Sequence, residues 1–279
     1  MTSIQFIIDG DSSRCGQGEA DEMRRVQLFG LDFVSDISID ALAELLVEQG
    51  ATRPDSWKVV VTPNIDHLVN YRKFPQQRLV AETAHMVLPD GAPIVWASRL
   101  LGAPLSSRLA GSDLFVAWWQ RVRDAHRPVL LVAATEELGR RLQLEHGEAR
   151  IVVAPMFDAS DSEAVSNLAT ELLGQVESHP TDAIVIGLSM AKTHVLAEML
   201  TASTLPADGA PLVLLLGASA GFHVGLQRRA PRWMQQAGLE WLHRLVSDPR
   251  RLAKRYLVDD LVFIRMTWDE WRSRRTTNR

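Results

Sequence analysis

The sequence predicts an α/β fold in which helices cover both faces of a mostly parallel sheet, followed by a helical C-terminal appendage. Short apolar runs rich in β-branched residues, such as 59–61 and 183–186, show no polar alternation, which is typical of strands buried on both faces. Segments with apolar residues at helical spacing separate these runs. The last part of the chain, residues 228–279, instead carries 13 Lys and Arg against 6 Asp and Glu.

The first half of the chain begins its regular structure with a short strand at residues 25–30. Ser38 then opens an amphipathic helix that extends to about residue 49, because its leucines fall on one helical face. A strand of the buried type follows at residues 57–62. The pattern next predicts two helices and a strand, at residues 65–73, 75–84 and 86–88.

The second half of the chain repeats this alternation of strands and helices. Strands are predicted at residues 127–133, 151–153, 183–187 and 212–216. Helices are predicted between them, at residues 136–147, 162–177 and 193–200. The appendage reads as two helices, one over residues 232–246 and one that starts at Pro249 with Asp248 as its candidate N-cap, and residues 261–264 are a weak strand candidate.

Length and composition indicate one large domain with an appendage. The chain has 279 residues, of which 46% are hydrophobic, enough for a sizeable core. We divide it into a flexible lead-in at residues 1–25, a core at 26–227 and a basic, Trp-rich appendage at 228–279. The single cysteine, Cys15, excludes an internal disulfide framework. We expect no secretory leader, and no apolar run is long enough for a membrane span.

Charge and missing motifs exclude several classes of function. The whole chain has a net charge of −4 and the appendage +7, so the remainder carries −11, which argues against nucleic-acid binding. There is no GxGxxG, GxxxxGK[ST], CxxC or HExxH motif. A nicotinamide-dependent oxidoreductase and a P-loop enzyme are therefore disfavoured, and the scattered histidines predict no metal site.

Polar residues follow two of the predicted strands, where ligands bind in open α/β sheets. Thr62 and Asn64 follow the strand at 57–62, and Asp90 follows the strand at 86–88 between a proline and a glycine. The Asp90 carboxylate could act as a general base toward a hydroxyl group. The alternative is a turn aspartate that hydrogen-bonds its own backbone.

A small-polar segment precedes the next helix. Gly111, Ser112 and Asp113 lie at its start, and the free N–H groups of a helix N-terminus bind phosphate. The alternative is an ordinary N-cap formed by Ser112 or Asp113. The local sequence favours the cap.

Short motifs form two blocks along the chain. The first block comprises VTPNIDHL at 61–68, LPDG at 88–91, WASRLLG at 96–102 and GSDL at 111–114. The second comprises RAPRW at 229–233, GLEWLHRL at 238–245, and PRRL with RY between 249 and 256. Each motif is short, but their order and spacing together are specific. Over residues 26–257 the chain resembles the WecG/TagA/CpsF family of bacterial glycosyltransferases.

The resemblance implies a Rossmann-like, metal-independent enzyme without cofactor. Such an enzyme moves a sugar, with inversion, from a nucleotide sugar, usually a UDP-sugar, to a saccharide on a membrane-bound polyprenyl diphosphate. It implies that Asp90 is the base and that Thr62 and Asn64 lie near the acceptor. It further implies that appendage arginines stabilise the diphosphate. The implied substrate-binding set is Arg99, Gly111, Ser112, Asp113, Lys192, His194, His223, Arg229, Arg244, Arg250, Arg251 and Arg255.

Three departures from the family pattern lie in the second half of the core. A glycine-rich turn is replaced at residues 132–135, the Gly-x-Pro-Lys-Gln-Glu segment reads differently at 187–194, and an aspartate becomes His223. The donor site is therefore altered, or the chain is a non-catalytic homologue that binds a lipid-linked sugar or a partner enzyme. His194 and His223 either meet the donor or are partly buried neutral histidines.

The expected location is the cytoplasm, on the inner face of the cell membrane. The aromatic and basic residues of the tail could lie in the membrane interface: Arg265, Trp268, Trp271, Arg272, Arg274 and Arg275. The alternative is a disordered basic tail. We expect deletion of residues 259–279 to spare activity on a soluble acceptor and deletion of 228–279 to abolish it, and self-association into a homo-oligomer stays open.

Overall fold

The structure is a computed structural model that describes residues 23–227, 229–231, 233–234, 240–247 and 249–277. Residues 241, 243–244, 247, 249–260 and 277 are described by their backbone alone. Residues 1–22 of the predicted lead-in, the predicted N-cap Asp248, and residues 232 and 235–239 of the helix predicted over 232–246 lie outside the described residues.

The described chain forms one eight-stranded sheet with the order β1-β2-β4-β3-β8-β7-β5-β6. All neighbouring strands are parallel except the β1–β2 pair, which confirms the predicted α/β class. The strands are β1 (Arg25–Leu28), β2 (Leu31–Val34), β3 (Lys58–Val61), β4 (Met86–Val87), β5 (Val129–Ala133), β6 (Arg150–Val153), β7 (Ala183–Ile186) and β8 (Leu212–Leu215).

The first predicted strand, at residues 25–30, is present as β1 but ends at Leu28, where it enters a hairpin with β2. The chain turns back at Phe29 and Gly30, which both have positive φ, at 55° and 75°. Two consecutive residues of this kind are what a tight hairpin turn requires. The run of apolar residues through the turn concealed it, because Phe29 is itself buried.

Helices cover both faces of the sheet, as predicted. They are α1 (Ile39–Ala51), α2 (Ile65–Lys73), α3 (Pro75–Glu82), α4 (Ala92–Leu100), α5 (Gly111–Asp124), α6 (Glu136–Glu145), α7 (Ser162–Ser178), α8 (Met190–Thr201), α9 (Ser219–His223), α10 (Glu240–Ser247) and α11 (Pro249–Thr277). Ser38 caps α1 by accepting a hydrogen bond from the Ala41 N–H at 3.1 Å, which stabilises the first turn.

The core has two apolar layers, one on each face of the sheet. Val59 and Val61 belong to one layer and Val60, which points the other way, belongs to the second. All residues of β5, β7 and β8 are buried. This double burial explains why the strands read as continuous apolar runs rather than as alternating ones.

The C-terminal tail continues as one 29-residue helix, α11. The strand candidate at residues 261–264 and the disordered-tail alternative are therefore both wrong. Phe263 is buried and its ring lies 5.3 Å from that of Phe29. The Phe29 N–H donates to Glu270 Oε2 at 2.7 Å, and Arg274 donates to the Gln27 carbonyl in β1. The hairpin turn thus anchors the far end of the appendage.

None of the helices in the described residues is both long enough and apolar enough to span a membrane.

Candidate active site

The candidate site lies at the carboxyl edge of the sheet, where β3 separates β4 from β8. The chain leaves β3 toward β4 on one side and returns through β8 on the other. Such a change of direction opens a crevice in which ligands bind. The segments that follow β3 and β4 bring Thr62, Asn64 and Asp90 to this crevice.

Asp90 is held at both its backbone and its side chain. Its N–H donates to the Pro63 carbonyl at 3.1 Å, and its Oδ2 accepts from the Gly111 N–H at 3.4 Å. Gly91 follows with φ of 137°, a conformation that glycine adopts without strain. The carboxylate is therefore oriented by the start of α5, and this contact goes beyond a turn aspartate that bonds only its own backbone.

Gly111 and Thr62 form a close backbone contact beside Asp90. A Cβ atom at Gly111 would lie 2.9 Å from Thr62 Oγ1, too near for any side chain. The Thr62 hydroxyl donates to the Leu215 carbonyl of β8 at 3.4 Å. Thr62 is buried and joins the two halves of the sheet, so its hydroxyl is part of the floor of the crevice.

Asn64 is the N-cap of α2. Its Oδ1 accepts from the His67 N–H at 3.3 Å and lies 2.9 Å from His67 Nδ1. Because the cap uses Oδ1, the orientation of the amide is defined. The Nδ2 group, which the cap does not use, is the part of Asn64 that can donate to a ligand.

Four charged side chains alternate in a ring next to Asp90, which we call the charge ring. Arg108 contacts Asp113 at 3.3 Å and Glu240 at 3.1 Å. Arg229 contacts Asp113 at 2.6 Å and Glu240 at 3.7 Å. Asp113 and Glu240 lie in the first turns of α5 and α10, where acidic residues are favoured.

The charge ring keeps Arg229 protonated. Burial lowers the pKa of Arg229, but the hydrogen bond that Arg229 donates to Asp113 and the charges of Asp113, Glu240 and Asp90 outweigh it, so that the pKa is raised. The effect of Asp90 shows that Arg229 is close enough to sense the candidate base. Nη2 of Arg229 is buried without a hydrogen-bond partner among the described residues.

Ser112 and Asp113 do not cap α5, although the local sequence favoured a cap. The N-cap is Ala110, and no side chain accepts a capping bond there. Asp113 turns instead toward the two arginines of the charge ring. The first turn of α5 thus begins at Gly111, whose N–H donates a hydrogen bond to Asp90.

In the second half of the sheet, a predicted site residue is buried and bonds to other protein groups. His194 is only 2% exposed, with Nδ1 2.9 Å from the Met190 carbonyl and Nε2 2.9 Å from the Tyr71 hydroxyl. A proton on Nδ1 for Met190 leaves Nε2 to accept from Tyr71. Burial lowers the pKa of His194, and a bond to Met190 opposes this. His194 therefore matches the alternative of a buried neutral histidine.

Lys192 and His223 also have protein partners. Lys192 Nζ lies 4.5 Å from the centre of the Phe157 ring, and His223 Nε2 lies 2.7 Å from Glu145 Oε2. The His223 ring packs edge-on against Phe115 of α5. His223 thus faces the helices of one face of the sheet, whereas Lys192 remains near the loop that follows β6.

The family model of the WecG/TagA/CpsF glycosyl transferases matches residues 26–277. The chain belongs to this family. It is therefore a glycosyltransferase, and the match extends through the whole of α11, about twenty residues beyond the last motif that carried the resemblance.

Two curated relatives have the same name, N-acetylglucosaminyldiphosphoundecaprenol N-acetyl-beta-D-mannosaminyltransferase. The one from Bacillus spizizenii is 24% identical over 198 residues, which cover 69% of this chain and 72% of the relative. The one from Staphylococcus aureus is 24% identical over 239 residues, which cover 85% of this chain and 90% of the relative.

The remaining binding residues predicted for this glycosyltransferase divide into two groups. Arg99 is exposed in the last turn of α4, outside the contacts that hold Asp90. The side chains of four appendage arginines lie outside the described residues, although their backbone falls within α10 and α11: Arg244, Arg250, Arg251 and Arg255.

Sequence reasoning missed Arg108 and Glu240 as site residues of the glycosyltransferase. Arg108 lies only three positions before Gly111, so proximity to that motif was a usable signal. Glu240 falls inside the GLEWLHRL motif, but its partner lies 132 positions away, and no local pattern reveals such a pair. Among the described residues, no group of three or more His, Cys, Asp or Glu is arranged to hold a metal ion.

Proposed function

We propose that this glycosyltransferase moves a sugar from a nucleotide sugar, a UDP-sugar in the first instance, to a saccharide carried on a polyprenyl diphosphate. The observation that carries the proposal is the convergence of Thr62 and Asp90 at Gly111, with Asn64 beside Gly91, next to the charge ring. The names of the two relatives support the acceptor class, since both describe transfer to a sugar on undecaprenyl diphosphate.

We infer that Asp90 is the general base of an inverting displacement. An acceptor hydroxyl oxygen bonds to the anomeric carbon as the bond from that carbon to the diphosphate oxygen breaks. The hydroxyl proton passes to the Asp90 carboxylate, and the nucleoside diphosphate leaves with the bonding electrons. The Gly111 N–H bond to Oδ2 supports this role because it orients the carboxylate before the acceptor arrives.

The departing diphosphate requires positive charge, and arginine supplies it with bidentate geometry. Arg229 is charged and lies near Asp90, and its Nη2 is a donor that the described chain does not use. Together with the arginines of α10 and α11, it provides the stabilisation that a metal ion supplies in other transferases. The reaction as proposed needs no cofactor.

The test of this assignment is Asp90→Asn. The amide keeps an oxygen for the Gly111 N–H but cannot accept the proton, so we expect turnover to fall by about 100-fold or more. Asp32→Asn, at an exposed position of β2, is the matched control and should keep full activity. Undiminished turnover of Asp90→Asn with a lipid-linked acceptor and a panel of nucleotide sugars would contradict the role of Asp90.

A second candidate function, a non-catalytic homologue, is motivated by the altered segment at residues 187–194. A ligand that binds only the folded state raises the unfolding temperature by mass action. Stabilisation by a UDP- or GDP-sugar, but not by the free sugar, would favour the enzyme. Stabilisation by a lipid-linked saccharide alone, with no turnover, would favour the non-catalytic protein.

We also propose that the outer face of α11 contacts the inner surface of the cell membrane. Leu261, Ile264 and Trp268 are exposed and spaced along one face of the helix. Trp268 stacks on Trp271, and the Arg275 guanidinium lies 3.8 Å from the Trp271 ring. Aromatic rings next to arginines suit the headgroup region of anionic lipid.

Vesicle binding tests the membrane contact. We expect the protein to sediment with phosphatidylglycerol-containing vesicles at low salt and much less with phosphatidylcholine alone. Ile264→Ser should weaken this binding, whereas Leu79→Ser, at another exposed leucine, should not. Equal binding to both vesicle types, or self-association that Ile264→Ser abolishes, would indicate that the face serves another purpose.

A further inference from the structure

The charge ring joins two parts of the chain that are far apart in sequence. Arg108 and Asp113 belong to the core, in and before α5, whereas Arg229 and Glu240 belong to the segment that starts the appendage. Two of the four contacts cross the boundary, Arg108 to Glu240 and Arg229 to Asp113. Each crossing contact pairs a cation with an anion, so the core and the appendage each contribute one cation and one anion.

Three of the four side chains in the charge ring are largely shielded from water. The exposed fractions are 19% for Arg108, 19% for Arg229 and 18% for Glu240, with 38% for Asp113. Fully exposed pairs contribute little because water screens them. Removing one member of a shielded set takes one of two opposite charges from each of its neighbours in a poorly solvated site, so we expect the crossing contacts to influence where α10 lies.

The charge ring is adjacent to the candidate base. Asp113 follows Gly111 by two positions on the same turn, and Gly111 donates to Asp90. Arg229 senses the charge of Asp90. A displacement of Glu240 and Arg229 would therefore move α10, and with it the start of α11, away from the crevice.

We propose that Arg108 is a positioning residue that docks the appendage beside Asp90 by holding Glu240, with Arg229 and Asp113 as the second crossing contact. This inference rests on the proposed function, because it assigns the docked appendage to the same active site. Arg108 acts through Glu240, and its contribution to turnover follows from the placement of α10 and the arginines of the appendage.

The experiment compares Arg108→Met, Glu240→Gln and the double variant with the wild type, by backbone hydrogen exchange without substrate and by steady-state kinetics. We expect exchange in residues 240–247 and 249–262 to be at least several-fold faster in each single variant, and the core strands to be unchanged. The double variant should lose less than the product of the two single losses, because both single variants remove the contact between Arg108 and Glu240. Across the variants, kcat should fall as the appendage amides lose protection from exchange.

The matched control is the pair Arg121→Met and Asp40→Asn. These residues also form a long-range ion pair at 3.0 Å, between α1 and α5, away from the appendage. Neither control should alter exchange in residues 240–247. Arg108→Lys, which keeps the charge, should retain part of the protection from exchange. It replaces Arg108→Met in the comparison if Arg108→Met folds poorly.

Two results would overturn the proposal. In the first, Arg108→Met loses activity while the appendage exchanges as in the wild type, which would make Arg108 a direct substrate contact. In the second, the losses in the double variant multiply, which would mean that Arg108 and Glu240 act independently. Failure of the proposed function has a separate signature, since undiminished turnover of Asp90→Asn leaves the exchange result unaffected.

Discussion

The two halves of the sheet edge use their polar residues in opposite ways. In the half built on β3 and β4, Thr62, Asn64 and Asp90 are fixed by backbone groups while they face the crevice. In the half built on β7 and β8, Thr193 and His194 turn inward, and their polar atoms bond to Leu188, Met190 and Tyr71.

This difference accounts for where the chain departs from its family. In the first half, Thr62 and Asp90 meet at Gly111, and Asn64 lies beside Gly91. Two altered residues of the second half, Thr193 and His194, are core residues with internal partners. Substitutions in the first half should therefore reduce activity first, and substitutions in the second half should reduce stability first.

Gly111→Ala should produce the largest effect, in the first half. A methyl group there would lie 2.9 Å from Thr62 Oγ1, so the start of α5 must move away from Asp90. A shift of about 1 Å at a catalytic group can cost roughly 100-fold in rate, and overpacking costs about 1–3 kcal/mol of stability. Steady-state kinetics and urea unfolding measure the two effects.

Gly174→Ala is the matched control for Gly111→Ala. In α7 a Cβ atom at Gly174 has nothing within 4 Å, so the same substitution should stabilise the helix by about 0.5–1 kcal/mol. Activity should not change. Full turnover of Gly111→Ala would show that the close contact with Thr62 is not needed for catalysis.

His194→Gln should change the pH dependence of stability, in the second half. The unfolded histidine titrates near pH 6.5, and burial lowers the pKa of His194 in the folded state. The neutral ring thus contributes its full stability above about pH 6.5, and this contribution is lost as the pH falls toward the lowered folded value. We expect His194→Gln to flatten the fall in the unfolding midpoint between pH 7 and 5.

The exposed His179 provides the control, and His179→Gln should leave the pH profile of unfolding as in the wild type. Tyr71→Phe tests the same pair from the other side, because it leaves His194 Nε2 without its donor and should cost about 1–3 kcal/mol. If His194→Gln instead raised the KM for the nucleotide sugar at unchanged stability, His194 would belong to the donor site after all.

His223→Ala should have the smallest effect. The ring contacts Glu145 and Phe115 rather than the residues around Asp90, and an accessible ion pair contributes at most about 1 kcal/mol. We expect the KM for the donor to stay close to that of the wild type. A large increase in that KM, measured over a range of donor concentrations, would place His223 in the donor site.

The comparison also shows how far the sequence predicted the candidate site. The sequence identified Thr62, Asn64 and Asp90 because these residues follow two predicted strands. Parallel strands end at the same edge of a sheet, so residues that follow β3 and β4 are expected to lie together. Arg108 was missed and two alternatives stayed open for His194, because each residue is defined by a partner more than 100 positions away, Glu240 and Tyr71. Local periodicity contains no information on such pairs.

The tail illustrates the same limit in the fold. Its positive charge and tryptophans predicted a membrane-interface segment or a disordered basic tail, yet Phe263 is buried and Glu270 accepts a hydrogen bond from the Phe29 N–H. Deletion of residues 259–279 therefore removes part of the packing around the β1–β2 turn. Activity on a soluble acceptor should then fall together with stability, contrary to the expectation from the sequence.

The sequence by itself determined the elements whose causes are local. β-branched runs became the buried strands, Ser38 became a cap, and Asp90 came to the edge of the sheet, because backbone preference and strand polarity act over a few residues. Only the tertiary structure decided which charges meet in the charge ring, which histidine is buried and where α11 lies. Those outcomes depend on desolvation and on contacts between distant segments, and the energy of each contact exists only once the chain has folded.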